Sequence, residues 1–134
     1  MNWKLIFGLS MFGLVMAIAT VYWIPSNVES ILWPIILLIC AWIIGRNATG
    51  KYFLHGFLVC LLNCVWITSA HIMLQTTYIA NHAQEAEQYK KMMPNMTITQ
   101  GMLATGPVIG IVTGIVLGLL SFIASKIGKK KAVA

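Results

Sequence analysis

Four long stretches of the chain carry almost nothing that water would reward. Trp3 to Ile24, Val28 to Ile44, Tyr52 to Leu74 and Met102 to Ile127 are apolar along nearly their whole length, and their charges, Lys4, Glu29 and Lys126, sit close to the ends. A helix crosses a bilayer with about 20 mostly apolar residues, in a range of roughly 17–25. Inside lipid its backbone donors and acceptors must be satisfied within the segment, which selects helix. The four stretches therefore predict an all-α membrane protein with four transmembrane helices. Composition leaves little alternative: 59% of the 134 residues are apolar and 9% are charged, where soluble domains carry roughly 25% charged residues. With four spans assigned, only residues 75–101 form a polar segment of any length. The chain reads as one four-helix transmembrane domain over 1–134, with no separate soluble domain.

The net charge of +6 is explained by where it falls. Lys4, Arg46, Lys51, Lys126, Lys129, Lys130 and Lys131 share one side of an alternating four-span topology. Lys90 and Lys91 lie on the other side with all three acids, Glu29, Glu85 and Glu87. The positive-inside rule makes the basic side cytoplasmic, so both termini are expected there. The lysines then act as a topology anchor that also meets lipid headgroups, and no nucleic-acid partner is expected. Ala17-Ile18-Ala19 resembles a signal-peptide cleavage site. The apolar run continues through Val21, Tyr22, Trp23 and Ile24, however, and favours a retained span bordered by Trp3 and by Tyr22-Trp23.

Local signals set the connections. Pro25 stops the first helix, and Ser26 with Glu29 has the spacing of a capping box; an outward-facing cation site is the alternative role for Glu29. Pro34 and Pro107 fall inside spans two and four. Beyond Leu74 the sequence QTTYIANHAQEAEQYKKMM stays helical in character, with Ala80, Ala83, Ala86 and an i,i+4 pair of Glu87 and Lys91. The third span is expected to extend beyond the membrane as one long helix to Met92, ended by Pro94. Thr97 and Gln100 have capping-box spacing at the start of the fourth helix.

That fourth helix carries GPVIGIVTGIVLG, with glycine at every fourth position: Gly106, Gly110, Gly114 and Gly118. Glycine costs a water-exposed helix about 1 kcal/mol against alanine. In lipid, helices associate through close packing, and a ridge of small residues lets two backbones approach. Ser121, Ser125 and Gly128 prolong the stripe. Gly13 and Ala17 in span one, also four apart, are the expected partners of Gly110 and Gly114; the competing partner is the same ridge on another subunit.

No Asp, Glu, Lys or Arg lies mid-span, where ion-coupled transporters usually keep one. The intramembrane polar residues are Asn63, His55 and His71. Asn63 is expected to bond across helices, with Thr113 as partner by depth, and the two histidines fall near opposite interfaces. Cys40, Cys60 and Cys64 read as small apolar packers. His82, Met92, Met93 and Met96 form the one soft-ligand cluster, of the kind that suits Cu(I), but no metal or other cofactor is assigned. No nucleophile–base grouping, paired carboxylates or phosphate loop is present, and the chain is not expected to be an enzyme.

The charged segment YIANHAQEAEQYKKM, the glycine-ridged fourth span and the lysine tail after FIAS together resemble uncharacterised small four-helix bacterial inner-membrane proteins, families of unknown function. The resemblance implies an inner-membrane location and brings no activity or site residues. The expected function is a non-enzymatic inner-membrane component that packs or assembles with itself or a membrane partner. The alternative is a channel or transporter for a small solute or soft metal ion.

Overall fold

The computed structural model describes residues 1–127; Gly128, Lys129, Lys130 and Lys131 lie outside them. It contains six helices in the order α1 (Trp3–Tyr22), α2 (Ser26–Asn47), α3 (Tyr52–Met73), α4 (Gln75–Asn81), α5 (Ala83–Met92) and α6 (Ile98–Ile127), and no strand among the described residues. Helices α1, α2, α3 and α6 are long and apolar enough to cross a membrane. Large apolar side chains such as Ile31, Leu38, Val108 and Leu119 point outward. The chain is thus a multi-pass membrane protein by the length, composition and outer surface of its helices. Helices α2 and α6 continue through Pro34 and Pro107.

Helix α3 is the axis of the bundle. It packs most extensively on α6 and next on α1, α2 lies on α6, and α1 and α6 flank α3 without meeting. This corrects the expected partner of the glycine ridge. Gly13 and Ala17 do not dock on Gly110 and Gly114, because α3 stands between the two helices. A Cβ placed on Gly118, Gly114 or Gly110 would lie 2.7, 2.9 and 2.7 Å from side-chain atoms of Phe53, Phe57 and Cys64, and one on Gly106 would collide with Thr68. The contacts ascend α6 as they descend α3, so the helices are antiparallel. The Phe53 and Phe57 rings, stacked at 6.1 Å, lie against the groove that the missing side chains leave. Gly13 instead faces Asn63 of α3, where a Cβ would sit 2.5 Å from Oδ1.

The closest approaches to the backbone of another helix involve two glycines outside the ridge. A Cβ on Gly56 would lie 2.7 Å from the Leu117 carbonyl oxygen and 2.8 Å from the Gly118 nitrogen. One on Gly45 would lie 2.8 Å from the backbone carbon of Ala124. These are backbone contacts, which no rotamer change can relieve. Around them Ile6, Leu9, Cys40, Ile44, Val59 and Leu117 form the main apolar core.

The same end of the bundle is tied by His55. Its Nε2 accepts the Asn2 backbone N–H at 3.0 Å, and its Nδ1 is 2.9 Å from the Lys51 carbonyl. A carbonyl only accepts, so Nδ1 carries the proton and the imidazole joins the starts of α1 and α3 as a neutral ring. Lys4, Arg46, Lys51 and Lys126 all lie at this end, with Arg46 over the Trp42 ring and Lys126 over that of Phe122.

Beyond the opposite end the third helix departs from expectation. It does not run on to Met92 but breaks at Leu74 and at His82. Long-range contacts account for the breaks. The Asn81 side chain donates to the Val21 carbonyl at 2.7 Å, and Tyr78 is buried with Val21 and Met102. A straight helix would carry both residues away from the bundle. The end of α5 at Met92, the Glu87–Lys91 pair at 3.7 Å and the Thr97–Gln100 capping box all form: Thr97 N–H donates to Gln100 Oε1 and Gln100 N–H to Thr97 Oγ1. The Ser26–Glu29 box does not. Pro25 occupies the cap position without a side-chain bond, and Glu29 turns forward to accept from the Trp33 indole N–H at 2.9 Å.

Gly56→Ala should destabilise the protein by about 1–3 kcal/mol, the range for overpacked interiors. Gly8→Ala, where a Cβ meets nothing within 4 Å, should be neutral or slightly stabilising through helix propensity. Unfolding of both variants in lipid nanodiscs checks the pair; equal stability would mean that α3 and α6 do not touch at Gly56.

Candidate functional site

Helix α2 is packed at one end only, its start being joined to α1 through residues 23–25. Its buried residues, Cys40, Ala41, Ile44 and Gly45, all lie in its second half. Its first half stands off from α3 and α6, and a cavity of ≈ 370 Å³ fills the space. Small-molecule sites commonly measure about 300–1,000 Å³. The cavity begins at the start of α2 with Glu29 and Trp33, passes His71 and Thr68 of α3 and Thr105 of α6, and ends beside Asn63, Cys60 and Thr113. Its wall is mainly apolar, with polar groups at intervals, and Val59 and Leu117 of the packed core lie next along α3 and α6.

The short helices complete the wall. Tyr78 of α4 is stacked between two imidazoles, 4.2 Å from His71 and 4.6 Å from His82, centroid to centroid. Burial pushes its phenol well above the ordinary value of 10.0, and the negative charges of Glu29 and Glu85 and the neighbouring Tyr89 add to the shift. Tyr89 of α5 packs over Gly101 and lies 3.4 Å from Thr105 Oγ1. The Thr105 proton is engaged by the Gly101 carbonyl at 2.9 Å, so the phenol is the donor in this long contact. Gln75 accepts from Thr99 at 3.2 Å and ties α4 to α6.

Three buried polar atoms have no hydrogen-bond partner among the described residues: Asn63 Oδ1, His71 Nε2 and His82 Nε2. Each such group costs free energy when removed from water without a partner. Asn63 and His71 both line the cavity. The expected Asn63–Thr113 bond does not form, because Asn63 Oδ1 rests on Gly13 and Thr113 Oγ1 donates to the Ile109 carbonyl at 2.7 Å. The Nδ1 of His82 is 3.2 Å from the Tyr78 carbonyl. Nδ1 is therefore the donor of that bond, and Nε2 is the atom left without a partner.

The residues singled out in the sequence separate into distinct places. Asn63 and His71 meet at the cavity with Gly106 and Gly110, while Gly114 and Gly118 belong to the α3–α6 contact. His55, expected at a wet interface, is 2% exposed and bonded through both nitrogens. Of the soft-ligand cluster, His82 is buried against Tyr78, Met92 and Met96 are exposed, and Met93 lies near Gly101. No group of three or more His, Cys, Asp or Glu suited to a metal occurs among the described residues. The cavity residues missed in the sequence are Trp33, Tyr78, Tyr89 and Thr105. The one available signal was Trp33, a helical turn after the only acid bordering an apolar span. No family model, no curated protein and no solved structure matches the chain.

The chain has four tyrosines. A spectrophotometric titration should show one ionising later than the others, and Tyr78→Phe should remove that late step. An unfolded phenol releases its proton near pH 10 while the folded Tyr78 keeps its own, so the unfolded state binds fewer protons there. Stability should accordingly fall as pH rises above 10, and less steeply in Tyr78→Phe.

Proposed function

We propose that this protein is a non-enzymatic carrier of a small solute, a multi-pass protein of a bacterial inner membrane with both termini in the cytoplasm. The observation that carries the reading is the cavity beside the first half of α2, whose ≈ 370 Å³ suits a small molecule and whose apolar wall carries Glu29, Thr68, His71 and Thr105 at intervals. A bound molecule would supply the apolar contact that this wall lacks. The closed core of Ile44, Val59 and Leu117 at the other end favours a carrier with one accessible half over an open channel. The orientation rests on charge: Lys4, Arg46, Lys51 and Lys126 lie at the closed end, Glu29, Glu85 and Glu87 towards the other, and basic residues mark the cytoplasmic face. The inner-membrane location rests on that asymmetry and on the resemblance of the second half of the chain to small inner-membrane proteins. The glycine ridge that motivates an assembly role lies against α3 of the same chain and lends that role no support.

The native cysteines test the reading. Cys60 and Cys64 line the cavity, and Cys40 belongs to the core. A small, charged, membrane-impermeant thiol reagent added to the outer face of oriented vesicles should modify Cys64 and leave Cys40 untouched. Thr113→Phe, which directs a ring into the cavity, should slow labelling of Cys64 by at least tenfold. Labelling of Cys64 only after unfolding would overturn the proposal, and labelling from the cytoplasmic face alone would overturn the orientation.

A further inference from the structure

The chemistry of the cavity wall selects among small solutes. Of the residues that line it, Glu29 is the one acid, and no lysine or arginine is among them. The Glu29 carboxylate is held in place. Its Oε1 accepts from the Trp33 indole N–H at 2.9 Å, and its second oxygen has no partner among the described residues. Glu29 has no ion pair within the described residues either, where the one pair found is Glu87–Lys91. Glu29 also lies close enough to Tyr78 for its charge to help hold that phenol protonated.

Around this carboxylate the wall is aromatic. Trp33 from α2, Tyr78 from α4 and Tyr89 from α5 all line the same cavity. The negative faces of rings such as Trp33 and Tyr89 attract a cation, and an ammonium bearing alkyl groups suits them better than a compact hydrated ion; both faces of Tyr78 are taken by His71 and His82, so it contributes the edge of its ring. Deeper in, Leu37, Ile67, Met102 and Ile109 supply apolar wall. A metal ion or a small inorganic cation would find a single carboxylate and no cluster of further ligands among the described residues, and would leave the apolar wall unused. An anion would meet Glu29, and a purely apolar molecule would leave the carboxylate without a partner. A molecule with one positive nitrogen and a compact apolar body satisfies the carboxylate, the rings and the apolar wall together.

We infer that the cavity binds a monovalent organic cation, an alkylated or aryl ammonium, with its charged nitrogen between Glu29 and the aromatic side chains of Trp33 and Tyr89 and its apolar body directed inward towards Asn63. The inference rests on the carrier reading above and names the solute class of that same cavity. Glu29 fixes the charge that is accepted, the rings favour alkylated nitrogen over a metal ion, and the volume readily admits a molecule the size of phenyltrimethylammonium. The outward-facing cation role weighed for Glu29 from the sequence thereby acquires a chemical class.

Calorimetric titration of phenyltrimethylammonium into the full chain in lipid nanodiscs, with empty nanodiscs as the blank, tests this directly. Saturable binding is expected in the wild type. Glu29→Gln can still accept from Trp33 and should fold normally, which thermal unfolding checks, and it should weaken binding at least tenfold. Glu85→Gln, outside the cavity wall, should bind within twofold of the wild type. Benzyl alcohol, a neutral probe of similar body, should bind at least tenfold more weakly than the cation and be indifferent to Glu29→Gln. Equal affinity of Glu29→Gln and wild type for the cation would overturn the inference. So would saturable binding of benzyl alcohol without binding of the cation; with Cys64 accessible, that result removes charge selection and leaves the carrier reading standing. If neither probe binds and Cys64 is unreactive, both fall.

Discussion

Everything in this molecule is arranged around the contact between α3 and α6. Water gives helices inside a bilayer no reason to associate, so their association depends on how closely they can approach. Gly56 brings the α3 backbone onto Leu117 and Gly118, and the glycines of α6 receive Phe53, Phe57, Cys64 and Thr68 in turn. With these two helices joined, α3 has one flank left for α1, where Gly13 meets Asn63 and Trp66 donates to Ser10 at 3.2 Å. Helix α2 then lies mainly along α6, and Gly45 sets the point at which it does so.

Features that depend on neighbours along the chain were legible in the sequence, and features that depend on distant ones were not. The four spans follow from long apolar runs, and the Thr97–Gln100 box involves residues three apart. The Ser26–Glu29 pair has the same spacing and fails because Trp33, one turn further on, draws the carboxylate forward. The glycine period announced a close contact but carried no address. Nothing about Phe53 or Phe57 marks them as its partners, and Gly45 and Gly56 stand alone in the sequence, without a period to reveal them. The breaks at Leu74 and His82 were hidden for the same reason. Their surroundings favour helix, and what bends the chain is the bond from Asn81 to Val21, 60 residues away.

The candidate site was half visible. Asn63 and His71 stood out because polar side chains are rare in apolar spans, and both line the cavity. Trp33, Tyr78 and Tyr89 did not stand out, since aromatic residues near the ends of membrane helices are ordinary interface residues. Their convergence depends on the folding back of α4 and α5, which has no local signature. Glu29 was noticed and given two roles; the structure removes the capping role and leaves its carboxylate at the edge of the cavity.

The one-sided anchorage of α2 also makes it a lever. At about 1.5 Å of rise per residue, Glu29 is roughly 24 Å from the fulcrum at Gly45. A tilt of about 10° at the fulcrum would swing Glu29 sideways by roughly 4 Å over that arm, about the width of a methyl group, and would leave the Gly45 contact and the joint between α3 and α6 in place.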